Sequence, residues 1–173
     1  FLNDENYWIE FNGPMFSEGT IRKVYTKYGT LISEEKMFAD FKQHVKIYYE
    51  YPTGQLKEEY TTTGLGGDYM SGKYTSFYKN GKIEVDGQFY EGEYTNIRVG
   101  IWKWYNEDGT LDSESTYKAE VTNWANGEKK MTGGYIYDTD NEQWVKIGEW
   151  KWFDETGKLI ETKKYQWGVE ISE

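Results

Sequence analysis

His44 is the chain's one histidine and the first place to look for proton-transfer chemistry. It lies in KQHVKIYY, with no serine or carboxylate at a spacing that reads as a catalytic triad. Glu58 and Glu59 are paired carboxylates, and glycoside hydrolysis uses two, but it needs them across a cleft and nothing in the sequence brings any two acids together. The loop DTDNEQ offers Asp138, Asp140, Asn141 and Glu142 as oxygen donors. It lacks the sixth-position glycine and the later bidentate glutamate of a calcium loop. GLGGDYMSG, residues 64 to 72, is rich in glycine, yet no helical pattern follows to present an N-terminus to phosphate. It reads as a linker. With no cysteine, thiolate nucleophiles, disulfides and Cys-ligated zinc are excluded. The expectation is no catalytic residue, no metal site and no cofactor, in a protein that is not an enzyme.

What the chain does have is aromatic rings. It carries 8 Trp, 17 Tyr and 8 Phe among 173 residues, and only three alanines, Ala39, Ala119 and Ala125. Tyr, Trp, Phe, Thr and Ile favour pleated surfaces, and the best helix former is nearly absent. The passage GIWKWYNEDGTLDSESTY, residues 100 to 117, returns in close outline as GEWKWFDETGKLIETKKY, residues 148 to 165. A catalytic site is seldom written twice in one chain. A structural repeat usually is.

The turn glycines give the period. Gly29, Gly54, Gly81, Gly109 and Gly157 are separated by 25, 27, 28 and 48 residues, the last gap being about two periods. Each closes a polar loop after an aromatic (Tyr25, Tyr49, Tyr78, Tyr105, Phe153), and loop length counted from that aromatic varies from two residues to four. Two residues beyond each glycine stands a branched aliphatic: Leu31, Leu56, Ile83, Leu111 and Leu159. Asn-Gly and Asp-Gly steps flanked by aromatic, β-branched runs are hairpin signals.

Residues two apart on a strand share a face. Trp102 and Trp104 therefore oppose Lys103 and Tyr105, and Trp150 and Trp152 oppose Lys151 and Phe153. After each turn the aliphatic is expected to share a face with the residue six further on, Leu111 with Tyr117 and Leu159 with Tyr165. The acid three residues on, Glu34, Glu59, Asp86 or Glu114, is expected to face the other way. One hairpin is too small to be stable in water, so successive hairpins must stack into a continuous sheet. The prediction is an all-β fold, an elongated antiparallel sheet of about five to six stacked hairpins. Residues 1–23 cap it or pair with its first edge, and 24–173 form the array. The rhythm breaks over 118–147, read as an irregular segment or degenerate hairpin, while SEEKMFADFKQHV is kept extended.

The pattern Gly-x-Trp-x-x-Tyr/Phe, short loop, Gly-x-Leu-x-x-Glu-x-x-Tyr resembles the MORN-repeat variant family, which includes YwqK-type antitoxin proteins. The likeness is best in GIWKWYNEDGTLDSESTY and good in GEWKWFDETGKLIETKKY. It extends to YYEYPTGQLKEEY and FYKNGKIEVDGQF, and the Gly-x-Trp lead-in is missing from the first three copies. The resemblance implies an antiparallel sheet used in binding or scaffolding, and the antitoxin label implies neutralising a toxin protein by contact.

Net charge of −10 with a pI near 4.7 argues against nucleic acid and suits a basic protein partner. The predicted contact residues are Trp102, Trp104, Tyr105, Trp150, Trp152 and Phe153, since Tyr and Trp are favoured at binding hot spots. The alternative is that the tryptophans pack between hairpins. A second function reading is a carbohydrate- or cell-wall-binding module, because choline-binding repeats also stack aromatic hairpins; their shorter period and the acid after each leucine set them apart. No run of about 18 apolar residues offers a transmembrane segment. A monomer or an edge-paired dimer is expected. The compartment stays open, cytoplasmic or, with a leader before Phe1, extracytoplasmic.

Overall fold

A computed structural model describes residues 7–15, 17–39, 42–50, 54–64, 69–92 and 96–172. The readings made for residues 1–6, for the loop at 51–53, for Asp40 and Phe41, and for 65–68 of the glycine-rich linker lie outside them. The strands are β1 (Tyr7–Asn12), β2 (Ile21–Thr26), β3 (Leu31–Met37), β4 (Gln43–Tyr48), β5 (Leu56–Thr63), β6 (Tyr69–Phe77) and β7 (Ile83–Phe89). They continue as β8 (Arg98–Tyr105), β9 (Leu111–Asn123), β10 (Lys129–Asp138), β11 (Gln143–Phe153), β12 (Leu159–Gln166) and β13 (Val169–Ile171). All thirteen are ordered by sequence in one antiparallel sheet. The fold is all-β, built from hairpins. SEEKMFADFKQHV supplies β3 and the start of β4, while Tyr69 to Gly72, read as linker, begin β6.

One turn recurs five times. A residue that ends a strand receives a backbone bond at its carbonyl from the glycine three residues on, and its own N–H donates to the carbonyl after that glycine. The residue–glycine pairs are Thr26/Gly29, Tyr78/Gly81, Asn106/Gly109, Trp124/Gly127 and Asp154/Gly157, all with bonds of 2.8–3.0 Å. These glycines have φ between +80° and +91°, the left-handed region where a Cβ is penalised. The loop length expected to vary is thus constant in these five, because the aromatic used as a marker stands at different distances from the turn. Only the Tyr49 to Gly54 loop is wider by two residues, with Tyr49 N–H donating to the Gln55 carbonyl at 2.8 Å.

The turns after β2, β4, β6, β9 and β11 are each followed by a bulge, and the bulge overturns the expected facing of side chains. Tyr25 pairs with Leu31 but Val24 with Ser33, leaving Ile32 as the extra residue. The same shift leaves out Lys57, Glu84 and Ile160. An extra residue reverses the alternation beyond it. Glu34 therefore stands opposite Lys23, on the face of Tyr25 and Leu31, and Met37 is on the other face. In the same way Asp86 shares a face with Ile83, and Thr162 with Leu159. Aliphatic and acid lie together, and the later aromatic opposes them.

The turns follow the even-numbered strands β2, β4, β6 and β8, and then the odd-numbered β9 and β11. This one-strand slip is the broken rhythm seen in the sequence. Residues 118–147 supply the end of β9, the Trp124–Gly127 turn, β10, the turn at 139–142 and the start of β11.

The chain divides into two compact units, Phe1–Asn96 with Lys103–Ser113, and Ile97–Trp102 with Glu114–Glu173. In the first, one face carries a cross-strand row of Glu10, Lys23, Glu34, Lys46, Glu59, Thr75 and Asp86. Signs alternate along its first five members, and opposite charges on adjacent strands attract. Lys23 meets Glu34 at 3.3 Å and Lys46 meets Glu59 at 3.6 Å. The opposite face holds Met37, Val45, Tyr60, Tyr74 and Phe89. In the second unit Tyr117, Ile136, Trp102 and Trp150 are buried.

Candidate binding surface

Three hairpins carry the same arrangement of rings at the same offsets. Tyr74 meets Phe89 edge-on at 5.9 Å, Trp102 meets Tyr117 at 6.4 Å, and Trp150 meets Tyr165 at 6.2 Å. In each, a glycine two residues before the first ring takes positive φ within its strand: Gly72 at +70°, Gly100 at +68° and Gly148 at +68°. That conformation re-aims the strand so that the following ring lies inward. Two residues before the glycine stand Met70, Arg98 and Lys146. The Arg98 guanidinium lies 4.4 Å from the Trp102 ring centre and 5.7 Å from that of Tyr117. Lys146 Nζ lies 4.3 Å from Trp150 and 4.8 Å from Tyr165. Each tryptophan is thus closed by a ring at its edge and a cation over its face.

Trp102 and Trp150, two of the predicted contact residues, are each 1% exposed. Their surfaces are spent on the protein's own side chains, and no partner can touch them in this conformation. Trp150 also donates its indole N–H to the Gly134 carbonyl at 3.2 Å, and its ring lies against Gly133 so closely that a Cβ there would fall 2.2 Å from it. Trp104, Tyr105, Trp152 and Phe153 are half-buried. The carbonyls of Tyr105 and Phe153 accept bonds from the Tyr78 hydroxyl at 2.6 Å and the Trp124 indole at 3.0 Å, which tie one turn to another. Tyr49 does the same to Phe77 at 3.0 Å.

The aliphatics after the turns are among the residues left open, together with Ile101 and Ile160. Ile83 is 40% exposed, Leu111 51% and Leu159 48%. Phe77 stands directly across from Ile83 and Phe153 across from Leu159. The sequence pattern places Leu159 on the face of Tyr165, and the bulge at Ile160 puts the two on opposite faces. The signal that could have corrected it is the glycine turn itself, which brings a bulge and so reverses the facing.

The family model described as the MORN repeat variant matches residues 70–91, 98–119 and 146–166. Those segments begin at Met70, Arg98 and Lys146 and contain all three ring pairs. These three hairpins are MORN-variant repeats. Gly72-Lys73-Tyr74 is the lead-in that the sequence reading found missing from the earlier copies, with tyrosine in place of tryptophan. No curated protein matches the chain. Among solved structures, a mutant of S. aureus TarM in complex with fondaparinux, alpha-GlcNAc-glycerol and UDP is similar at 12% identity and a TM-score of 0.37. A second TarM structure is similar at 13% and 0.36. Each match covers 80% of this chain and 21% of the other, and at these TM-scores neither bears on fold or activity.

The acids of three turns have local duties. Thr110 donates its hydroxyl to Asp108 Oδ1 at 2.6 Å and its N–H at 2.8 Å, which hold the Asp108 carboxyl below its ordinary range. Thr156 does the same for Asp154. Asp138 accepts from the Asn141 side chain at 2.8 Å and from two backbone N–H groups, and is likewise lowered. Each carboxylate holds a turn. Among the described residues no group of three or more His, Asp or Glu is placed to hold a metal ion. His44 Nε2 meets Glu59 at 2.9 Å beside Lys46, as part of the charged row. Among the same residues, no helix is long and apolar enough to cross a membrane.

Proposed function

We propose that the chain is a non-enzymatic binding module that contacts another protein through the turn-proximal ends of its MORN hairpins. The observation that carries this reading is the half-exposed aliphatic at one repeat position in all three, Ile83, Leu111 and Leu159. An apolar side chain held out of water by nothing gains free energy when a partner covers it. Around Leu111 stand exposed Glu107, Asp108 and Asp112, and Lys82 Nζ donates to the Asp108 carbonyl. Around Leu159 stand exposed Glu155 and Glu161, with the exposed Lys158 beside it. Together with the net charge of −10, this favours a partner whose contact face is apolar at the centre and basic at the rim. A toxin protein of that description fits an antitoxin- or immunity-type role. Phe153 stands across from Leu159 within its own hairpin, and Trp102 and Trp150 belong to the ring framework of their repeats.

The test is the double variant Leu111→Arg/Leu159→Arg, used as tagged bait for the partner that co-purifies with the unaltered chain. Both positions are exposed, so the thermal midpoint is expected to hold within a few degrees while the partner is lost. Tyr28→Ala, at a turn tip 84% exposed, is expected to retain it. Undiminished capture by the double variant refutes the reading.

A further inference from the structure

The second compact unit has a face whose chemistry is opposite to that of the hairpin ends. Tyr135 of β10 is flanked by Lys118 of β9 and Lys146 of β11 in one cross-strand row, so all three project from the same face. Lys118 Nζ lies 4.7 Å from the Tyr135 ring centre and 4.6 Å from that of Trp144. Lys146 Nζ lies over Trp150 and Tyr165, and 5.8 Å from Trp152. Trp150 meets Tyr135 edge-on at 5.0 Å, and Trp144 meets Tyr137 at 5.2 Å, which makes one aromatic floor. Among the described residues neither Lys118 nor Lys146 forms an ion pair. Lys163, on the same face, is by contrast matched by Glu161 at 3.7 Å and Glu170 at 3.2 Å.

We infer that this face binds an acidic segment of a partner protein, with two carboxylates reaching Lys118 and Lys146 across Tyr135. The inference concerns a different surface from the hairpin ends and stands or falls separately from the reading given for them. Two observations select the occupant. Lysine ammonium groups already lie over the rings of Tyr135, Trp144 and Trp150, which leaves a neutral sugar less ring face to stack on, whereas an anion meets two ammonium groups in advance. Glu120, Glu161 and Glu170 border the lysines on the same face, and they repel a broad anionic bilayer more than a narrow strand. Alternate strands of a sheet lie roughly 9.5 Å apart. Carboxylates three residues apart on a segment in the polyproline II conformation share one face and are spaced by about 9.3 Å, which suits a Glu-x-x-Glu arrangement crossing the strands.

The experiment titrates the full chain into a fluorescein-labelled Glu-x-x-Glu peptide and follows anisotropy. Its Gln-x-x-Gln counterpart, phosphatidylserine vesicles and cellohexaose serve as the other arms. The expected result is saturable, salt-sensitive binding of the acidic peptide alone. Lys118→Gln or Lys146→Gln is expected to weaken it about tenfold, as for loss of one charge-assisted contact. Lys118→Arg and Lys146→Arg retain it, and Lys158→Gln, at an exposed turn, leaves it unchanged. Each variant's near-ultraviolet circular dichroism establishes that it is folded. Failure of the acidic peptide to bind, binding indifferent to both glutamine variants, or preference for vesicles or cellohexaose overturns the inference. None of these outcomes touches the Leu111/Leu159 reading, whose test uses other residues and another partner.

Discussion

Gly133→Ala separates packing from backbone effects where β10 lies against Trp150 of the last MORN repeat. A Cβ at Gly133 would fall 2.2, 2.4 and 2.5 Å from three atoms of the Trp150 indole. The glycine's φ lies outside the left-handed region, so alanine is allowed by its backbone. Without the ring, the substitution would be neutral or would stabilise by about 0.4–1 kcal/mol through the unfolded chain. With the ring in place, either the indole shifts, at the about 1–3 kcal/mol typical of overpacking, or it leaves its slot and forfeits part of the about 3–5 kcal/mol that a buried tryptophan supplies. The net expectation is a loss of about 3 kcal/mol. In urea denaturation, with a slope of about 2 kcal/mol per molar, the midpoint falls by about 1.5 M. Trp150→Leu removes the obstructing ring, and in that background Gly133→Ala is expected to cost less by about 2 kcal/mol, a coupling that adjacent residues commonly show. Gly148→Ala is the contrast: nothing lies within 4 Å of its Cβ, and its φ of +68° predicts a loss of only about 1–2 kcal/mol. A neutral or stabilising Gly133→Ala, or strict additivity with Trp150→Leu, refutes the packing argument.

Tyr78→Phe removes the hydroxyl that donates to the Tyr105 carbonyl at 2.6 Å, and is expected to cost about 1 kcal/mol and to speed amide exchange in the 106–109 turn. Unchanged exchange there means that the turns are not tied by that bond. Tyr74 is pushed up to about 12 by burial first and then by the Glu58 carboxylate. An unfolded tyrosine ionises near 10, so the fold holds this proton more tightly. The stability linked to it is intact below pH about 10 and is lost as pH rises towards about 12. Tyr74→Phe is expected to flatten that decline in a series of denaturation midpoints. Because burial also raises Tyr48 and Tyr60, some slope persists. An unchanged slope contradicts the assignment to Tyr74.

The hairpins were legible because a turn needs chemistry that the sequence must spell. A residue at φ near +85° is almost always glycine, so each turn left a visible mark, and the period came from the marks. The bulges left none: Ile32, Glu84 and Ile160 look like ordinary strand residues, yet each reverses the facing of the residues after it. That is why the pattern places Leu159 with Tyr165 although the two face opposite ways. Trp102 and Trp150 were located in the sequence, but their burial depends on Arg98 and Lys146 four residues earlier. A cation before a glycine reads as solvated surface until the strand is seen to fold back over the ring. The slip from even- to odd-numbered strands at β9 hid in the Trp124–Gly127 turn, whose first residue is a tryptophan that bonds to the Phe153 carbonyl.

The account rests on the ring pairs as the internal framework of the repeats. Ring-proton nuclear Overhauser contacts in solution test this most directly. The account predicts contacts within Tyr74–Phe89, Trp102–Tyr117 and Trp150–Tyr165, with Trp102 and Trp150 shielded from acrylamide quenching. Absence of those contacts, with both tryptophans freely quenched, would contradict it.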